Sequence, residues 1–180
     1  MINKDNIIPQ ATGGEQISRD LAKSLEIMAP AGNFECLMAA IQGGADSVYF
    51  GVEKLNMRSH SANNFKMTDL DEIVRICSEY GVKTYLTLNI VLYDSDLEDM
   101  RRTLDAAKKA GVTAVIASDM AAIAYARSIG VEVHISTQLS ISNAEALRFY
   151  AQFADVIVLA RELNLTQVKE IKGIIDRDNI

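Results

Sequence analysis

The chain has 180 residues, 49% of them hydrophobic, which is enough to form the core of one ordinary domain. Its formal net charge of -6 at pH 7 argues against holding nucleic acid by electrostatics alone, and no apolar run approaches the roughly 18 residues of a membrane span. The two cysteines, Cys36 and Cys77, have no CxxC spacing, so we expect no metal or cofactor held by this chain alone and a reduced, cytoplasmic compartment.

The chain opens on a polar stretch without hydrophobic periodicity. We predict a polar N-terminal tail over residues 1–24 and one domain over residues 25–180. Within that domain, short apolar runs alternate with longer amphipathic ones. The short runs are predicted parallel strands, because most are β-branched or aromatic, as strands buried on both faces tend to be. They are Glu26–Ala29, Ser47–Phe50, Lys83–Asn89, Ala114–Ser118, Glu132–Ser136 and Val156–Ala160.

The longer runs are predicted helices. Leu70, Ile73, Val74 and Cys77 recur at i, i+3, i+4 and i+7, which places one apolar stripe against a sheet. Both cysteines fall in such stripes, which indicates core packing. Further helices are predicted from Leu97 to Gly111, from Ala121 to Ile129, over residues 144–153 and after Asn164. Thr68 with Asp71, and Ser142 with Glu145, are typical of capping boxes.

Six strand–helix units in succession predict an α/β fold with a parallel sheet, and two architectures compete. An open doubly wound sheet can bury its hydrophobic surface within 180 residues. A (β/α)8 TIM-type barrel typically needs about 250 residues. The number of units favours the open sheet. The strand ends favour the barrel, so the reconciling prediction is a truncated barrel with the first six βα units.

Hydrogen-bonding side chains follow the carboxyl end of every predicted strand. Parallel strands deliver these ends to one rim, where barrel enzymes place their chemistry. The strand ends therefore predict a shared binding site. The candidate catalytic residues are Asp119 and Gln138, and the candidate substrate-binding residues are Asn33, Arg58, Asn89, Thr137, Arg161 and Glu162.

Structural roles compete with these functional ones. Asn33, Ser142 and Asn164 are also good helix caps, and Asp119 at a helix start is more often a cap than an acid. His134, inside an apolar strand, is more often a hydrogen-bonded core residue than a base. Arg161 and Glu162 together fit a plain rim ion pair. Asn89 and Gln138 are the hardest of these residues to explain as helix caps. The hypothesis of a binding site therefore rests most on those two residues.

Several blocks resemble, in order, the amino-terminal part of the peptidase U32 family, also called collagenase-like proteases. They are "EIMAPAGNFECLMAAIQGGADSVYFGVEKLNMRS", "YLTLN", "IASDMA", "HISTQLSISNAEALRFY" and "VLARELN". The resemblance implies a (β/α)8 barrel extended by further domains. It also implies that the family's cysteine-bearing signature, "HGALC…SGxC"-like, is expected beyond residue 180.

The same resemblance implies two functions. Some relatives are oxygen-independent hydroxylases of a tRNA uridine or an rRNA cytidine, with prephenate as donor and an iron–sulfur cluster in the full-length protein. In that hypothesis Arg58 and Arg161 hold the anionic donor, Asn89 and Gln138 orient the substrate, and Asp119 is the acid or base. The second function is that of a collagenase-like peptidase. Apart from the resemblance, the acidic pI and the two absent barrel units leave a third hypothesis, an inactive fragment or interaction module. We also expect the chain to associate with itself through its open barrel edges.

Overall fold

The structure, a computed structural model, describes residues 25–57 and 65–178. The predicted tail over residues 1–24 and the predicted ligand-binding residue Arg58 lie outside these ranges.

In the part of the chain that the structure describes, six parallel strands form a single sheet in the order β1-β2-β3-β4-β5-β6, so each strand pairs with the next one along the chain. The strands are β1 (Met28–Pro30), β2 (Ser47–Phe50), β3 (Lys83–Leu88), β4 (Ala114–Ala117), β5 (Glu132–Ile135) and β6 (Val156–Ile157).

Within residues 25–57 and 65–178, six helices connect and follow the strands. They are α1 (Phe34–Gln42), α2 (Leu70–Glu79), α3 (Leu97–Ala110), α4 (Met120–Ser128), α5 (Ala144–Tyr150) and α6 (Leu165–Asp178). Short 3-10 turns at Met67–Asp69 and Asp94–Asp96 lead into α2 and α3, and a third, Thr137–Leu139, follows β5. The predicted stop of α3 is confirmed, since Gly111 takes φ 84 and its N–H bonds to Ala107.

The two faces of the sheet have different surroundings. Alternate strand residues, among them Leu86 and Val133, pack with residues of all six helices into one large core. The opposite face carries a small separate cluster of Tyr85, Ala114 and Ile116. A doubly wound sheet has a reversal of strand order and helices on both faces, and the described residues show neither. The predicted barrel winding is therefore confirmed, as six strands of an incomplete barrel.

Three local predictions are wrong. At the start of α2 the capping bond is not made by Thr68 and Asp71; instead Asp69 Oδ2 accepts the Lys66 N–H at 2.7 Å and closes the 3-10 turn that leads into α2. The cap of α5 is Asn143, whose Oδ1 accepts the Ala146 N–H at 2.9 Å, rather than Ser142. Cys36 is exposed on α1, whose buried residues are Leu37 and Ile41, whereas Cys77 is buried as predicted.

The last predicted strand is shorter than its apolar run. Only Val156–Ile157 pairs as a strand, because β5 ends at Ile135 and the chain then turns. The Val158 N–H still reaches the Ile135 carbonyl, but the Ala160 N–H bonds to Ile141 in the loop after the turn.

Among the described helices, none is long and apolar enough to cross a bilayer.

Candidate functional site

The inner face of the half-barrel is the sheet face that carries Tyr85, Ala114 and Ile116, opposite the large core. Three adjoining clefts lie on this face, at the carboxyl ends of the strands. The first cleft has a volume of about 440 Å³, the second about 320 Å³ and the third about 190 Å³. Gln138 lines all three, Asn89 lines the first two, and Arg161 lines the first and third. The polar ends of β3, β5 and β6 therefore share one mouth, as the parallel topology predicts.

The first cleft combines hydroxyl, amide and cationic groups over an apolar floor. Thr87, Ser136 and Thr137 supply hydroxyls, and Arg161 supplies the guanidinium. The Thr87 hydroxyl donates to the Phe50 carbonyl at 2.9 Å. Met28, Tyr49, Met57, Ile116 and Val158 complete the lining. Such a mixture suits a small ligand with an apolar body and a charged or hydrogen-bonding end.

Arg161 is the charged group of the first and third clefts. The side chain is exposed, and among the described residues no hydrogen bond or ion pair engages it. The alternative of a rim ion pair with Glu162 is therefore wrong, although Glu162 lines the third cleft beside it. A guanidinium without a protein partner is available to bind a carboxylate or phosphate bidentately.

Asn89 is held in place by the loop that follows β2. Its Oδ1 accepts the Met57 N–H at 3.3 Å, which fixes the amide orientation at the boundary of the first and second clefts. That loop is anchored by Asn56, which is 1% exposed and donates to the Val52 carbonyl at 3.3 Å. The glycine at position 51 is required there, because a Cβ would lie 2.3 Å from the Asn56 side chain.

Two of the predicted site residues are helix caps. Asn33 Oδ1 accepts the Cys36 N–H at 2.8 Å at the start of α1, and Asn33 lines none of the three clefts. Asp119 Oδ1 accepts the Ala121 N–H at 2.8 Å at the start of α4, but Asp119 also lines the second cleft. Capping and ligand contact are compatible for Asp119, since the cap uses one of its two oxygens.

A polar network lies at the opposite, amino-terminal end of the inner face. Glu26 accepts the Tyr85 hydroxyl at 2.6 Å and the Lys83 ammonium at 2.7 Å. Burial raises the pKa of Glu26, but these hydrogen bonds outweigh it and bring that pKa down to about 2. Burial, together with the bond to Glu26, raises the pKa of Tyr85.

His134 belongs to this network rather than to the mouth. The residue is 7% exposed, its Nε2 lies 2.8 Å from Glu132 Oε1, and its ring packs at 4.7 Å from the Tyr85 ring. The alternative of a hydrogen-bonded core histidine is therefore the one that the structure supports.

The described residues do not suit a metal centre. No group of three or more His, Cys, Asp or Glu side chains within residues 25–57 and 65–178 is arranged to hold a metal ion. Burial raises the pKa of the Cys77 thiol to about 11, which disfavours the thiolate that an iron–sulfur cluster needs. Cys77 is therefore a core residue and does not fit the role of a cluster ligand.

Sequence reasoning missed the residues that line the first cleft from within the strands. Met28, Tyr49 and Ile116 point to the inner face because they alternate with residues of the large core. Successive side chains of a strand point to opposite faces of the sheet. Counting back in steps of two from the polar residue at each strand end would have identified these inner-face residues. Met57 was missed as well, and its loop position carries no periodic signal.

Comparison with known proteins gives the family. The sequence model of peptidase family U32 matches residues 32–178. The chain belongs to the peptidase U32 family.

Relatives within U32 carry different functional names. The chain is 65% identical over 155 residues to a collagenase of Porphyromonas gingivalis, covering 86% of this chain and 37% of that protein. It is 37% identical over 161 residues to the tRNA hydroxylation protein P1 of Bacillus subtilis, covering 88% and 38%. It is also 37% identical over 148 residues to the 23S rRNA 5-hydroxycytidine C2501 synthase of Escherichia coli, covering 82% and 22%. The chain thus spans less than half the length of these relatives.

A solved U32 structure supports the fold. The U32 peptidase Mk0906 superposes with a TM-score of 0.68 at 15% identity, over 95% of this chain and 70% of that one. At this identity the likeness concerns the fold alone, and it agrees with the incomplete barrel described above.

Proposed function

We propose that this chain forms the substrate-binding part of an oxygen-independent RNA hydroxylase, which modifies a tRNA uridine or an rRNA cytidine with prephenate as donor. The observation that carries the proposal is the guanidinium of Arg161, which has no partner among the described residues and shares one cleft with the side-chain amides of Asn89 and Gln138. Relatives named for tRNA hydroxylation and for 5-hydroxycytidine synthesis support the reaction class.

The proposed roles follow from the chemistry of these groups. Prephenate is a dicarboxylate with an apolar ring, so its carboxylate pairs with Arg161 while its ring lies on the apolar lining of the first cleft. Asn89 and Gln138 donate and accept hydrogen bonds to orient the two reactants. Arg58 is proposed as a second carboxylate partner and lies outside the described residues.

An iron–sulfur cluster in a longer parent protein is part of the proposal, but not of this chain's contribution. The cluster would supply electron transfer when bound, and its ligands would come from other cysteines than Cys36 and Cys77. The residues of the half-barrel bind and orient the reactants.

The test is nucleoside mass spectrometry of tRNA and rRNA from a strain that lacks the gene, complemented by variants of the intact gene. We expect the deletion to remove a hydroxylated pyrimidine and the wild-type gene to restore it. Arg161→Gln should reduce its level at least about tenfold, since a hydrogen bond to a charged group is lost. The control Arg102→Gln, on the exposed surface of α3, should restore it fully. An unchanged nucleoside profile in the deletion strain would refute the proposal.

A peptidase is the second candidate, because a relative at 65% identity is named a collagenase. The hydroxyl of the first cleft that lies nearest in sequence to a histidine is that of Ser136, which accepts the Gln138 N–H at 3.3 Å. The nearby His134 is engaged by Glu132, so the described residues show no nucleophile activated by a base. Gelatin digestion that is lost in Ser136→Ala would favour the peptidase over the hydroxylase.

A further inference from the structure

The second cleft differs from the first in the chemistry of its walls. Four of its lining residues are apolar, Met57, Ile90, Val91 and Leu139. Met57 is 56% exposed and Val91 is 73% exposed, so large apolar side chains stand open to solvent at the mouth. A cleft with apolar walls and a few polar groups is the usual form of a ligand site.

The charges of the two clefts are opposite. The first contains Arg161, whereas the second contains Asp119 and, among its described lining residues, no cation. A small dicarboxylate is attracted to Arg161 and repelled by Asp119. An uncharged flat ring with N–H groups fits the second cleft better, because the ring packs on apolar walls and an N–H donates to the carboxylate.

Asp119 is oriented for such a role. Its Oδ1 is fixed by the Ala121 N–H at 2.8 Å, and no other described group donates to the side chain. The cap therefore holds the carboxylate in one orientation while its second oxygen has no protein donor among the described residues.

We propose that the second cleft is the subsite for an RNA base extruded from its strand, and that Asp119 accepts an N–H of that base. The inference rests on the proposed function, since it takes RNA as the substrate. Cytosine offers its N4 amino group and uracil its N3–H to a carboxylate. Asn89 and Gln138 line both clefts, so the base and the anionic donor meet over these two amides.

The test is NMR titration of the 180-residue chain with uridine and cytidine, followed at the methyl groups of Val91 and Leu139 in the second cleft, and separately with prephenate, followed at the methyl groups of Ile116 and Val158 in the first. Asp119→Asn keeps a good helix cap and replaces the carboxylate by an amide, so α4 is preserved. We expect Asp119→Asn to weaken nucleoside binding about tenfold and to leave prephenate binding within about twofold. Arg161→Gln should show the reverse pattern, and ribose alone should not shift the methyl signals.

The opposite results would overturn the inference. These are nucleoside affinity unchanged in Asp119→Asn, no nucleoside binding by the wild-type chain, or a loss of both ligands in each variant. The proposed function fails separately, through an unchanged nucleoside profile in the deletion strain. If the deletion strain refutes the proposed function, the binding of nucleoside and prephenate to two separate clefts can still be measured in the 180-residue chain.

Discussion

At the scale of single residues, Glu26 ties the segment before β1 to the inner face of β3 through Lys83 and Tyr85. Its pKa is lowered from 4.5 to about 2 in the folded chain. A lowered folded-state pKa means that the ionised group stabilises the fold above the unfolded value, and that this contribution is lost as the pH falls from about 4.5 towards 2.

We therefore expect Glu26→Gln to lower the free energy of unfolding at pH 7 and to have a progressively smaller effect at lower pH. Urea unfolding of both proteins at several pH values measures the difference. Glu170→Gln, on the exposed side of α6, is the control and should have little effect at any pH. A Glu26→Gln effect that does not decline with falling pH would contradict the ionic origin of the contribution.

Gly51 gives a second test at this scale. A Cβ at this position would lie 2.3 Å from the Asn56 side chain, which is buried and anchors the loop that carries Met57. Gly51→Ala should destabilise the chain by roughly 1–3 kcal/mol, the usual cost of overpacking. Guanidinium unfolding measures this.

The matched control is the same substitution at Gly173, inside α6, where an added Cβ meets nothing within 4 Å. Gly173→Ala should stabilise the chain by up to about 1 kcal/mol through helix propensity. Equal effects at the two glycines would show that the contact with Asn56 does not decide the outcome.

The sequence predicted the site residues that stand at strand ends and missed those that act through packing. Asn89, Gln138 and Arg161 were found because the end of a parallel strand fixes which rim a side chain reaches. Whether Asn33 turns to a helix or to the mouth depends on a local hydrogen bond, and no spacing rule reveals that choice.

At the scale of elements, the start of α5 distinguishes a sequence motif from the observed cap. Ser142 and Glu145 match a capping box, but Asn143 makes the capping bond to the Ala146 N–H. Asn143→Ala should cost about 1 kcal/mol of stability, whereas Ser142→Ala should cost close to nothing. Thermal unfolding followed by circular dichroism measures both. A larger loss of stability in Ser142→Ala than in Asn143→Ala would show that Ser142 is the cap, as the sequence motif predicts.

Strand bounds were predictable where both neighbours continue the ladder. The bounds of β2 were predicted to the residue, and β3, β4 and β5 end one residue before their predicted ends. The apolar run at β6 predicted five residues, but two pair. A strand pairs only as far as its neighbour extends. The turn after Ile135 limits β6, and the hydrophobic pattern of the β6 segment does not predict that turn.

At the scale of the whole molecule, β1 and β6 are the two end strands of the sheet within the described residues. Ile27 before β1 is 61% exposed and Val156 in β6 is 43% exposed. Unpaired apolar edges recruit further strands, so we expect the 180-residue chain to associate with itself in a concentration-dependent manner.

Val156→Lys should reduce this association, because a charge on an edge strand opposes pairing with another chain. Sedimentation velocity over a range of concentrations measures the species present. Leu165→Lys, at an exposed position at the start of α6, is the control and should leave association unchanged. A wild-type chain that is monomeric at every concentration would contradict the prediction.

The overall winding was predictable from two conflicting signals. Counting units favoured an open sheet, but a polar residue at the end of every strand favoured a barrel. The second signal was the better one, since it depends on where all strands point, and the observed sequential order agrees with it. The number of units misled because six units are compatible with an open sheet and with part of a barrel alike.

Sequential pairing has a consequence for how this chain is synthesised. Every strand needs only the strand made just before it, so each unit can dock as it leaves the ribosome without waiting for distant sequence. Growth from the amino terminus then adds one strand at a time to the leading edge of the sheet, while the outer edge of β1 stays unpaired within the described residues.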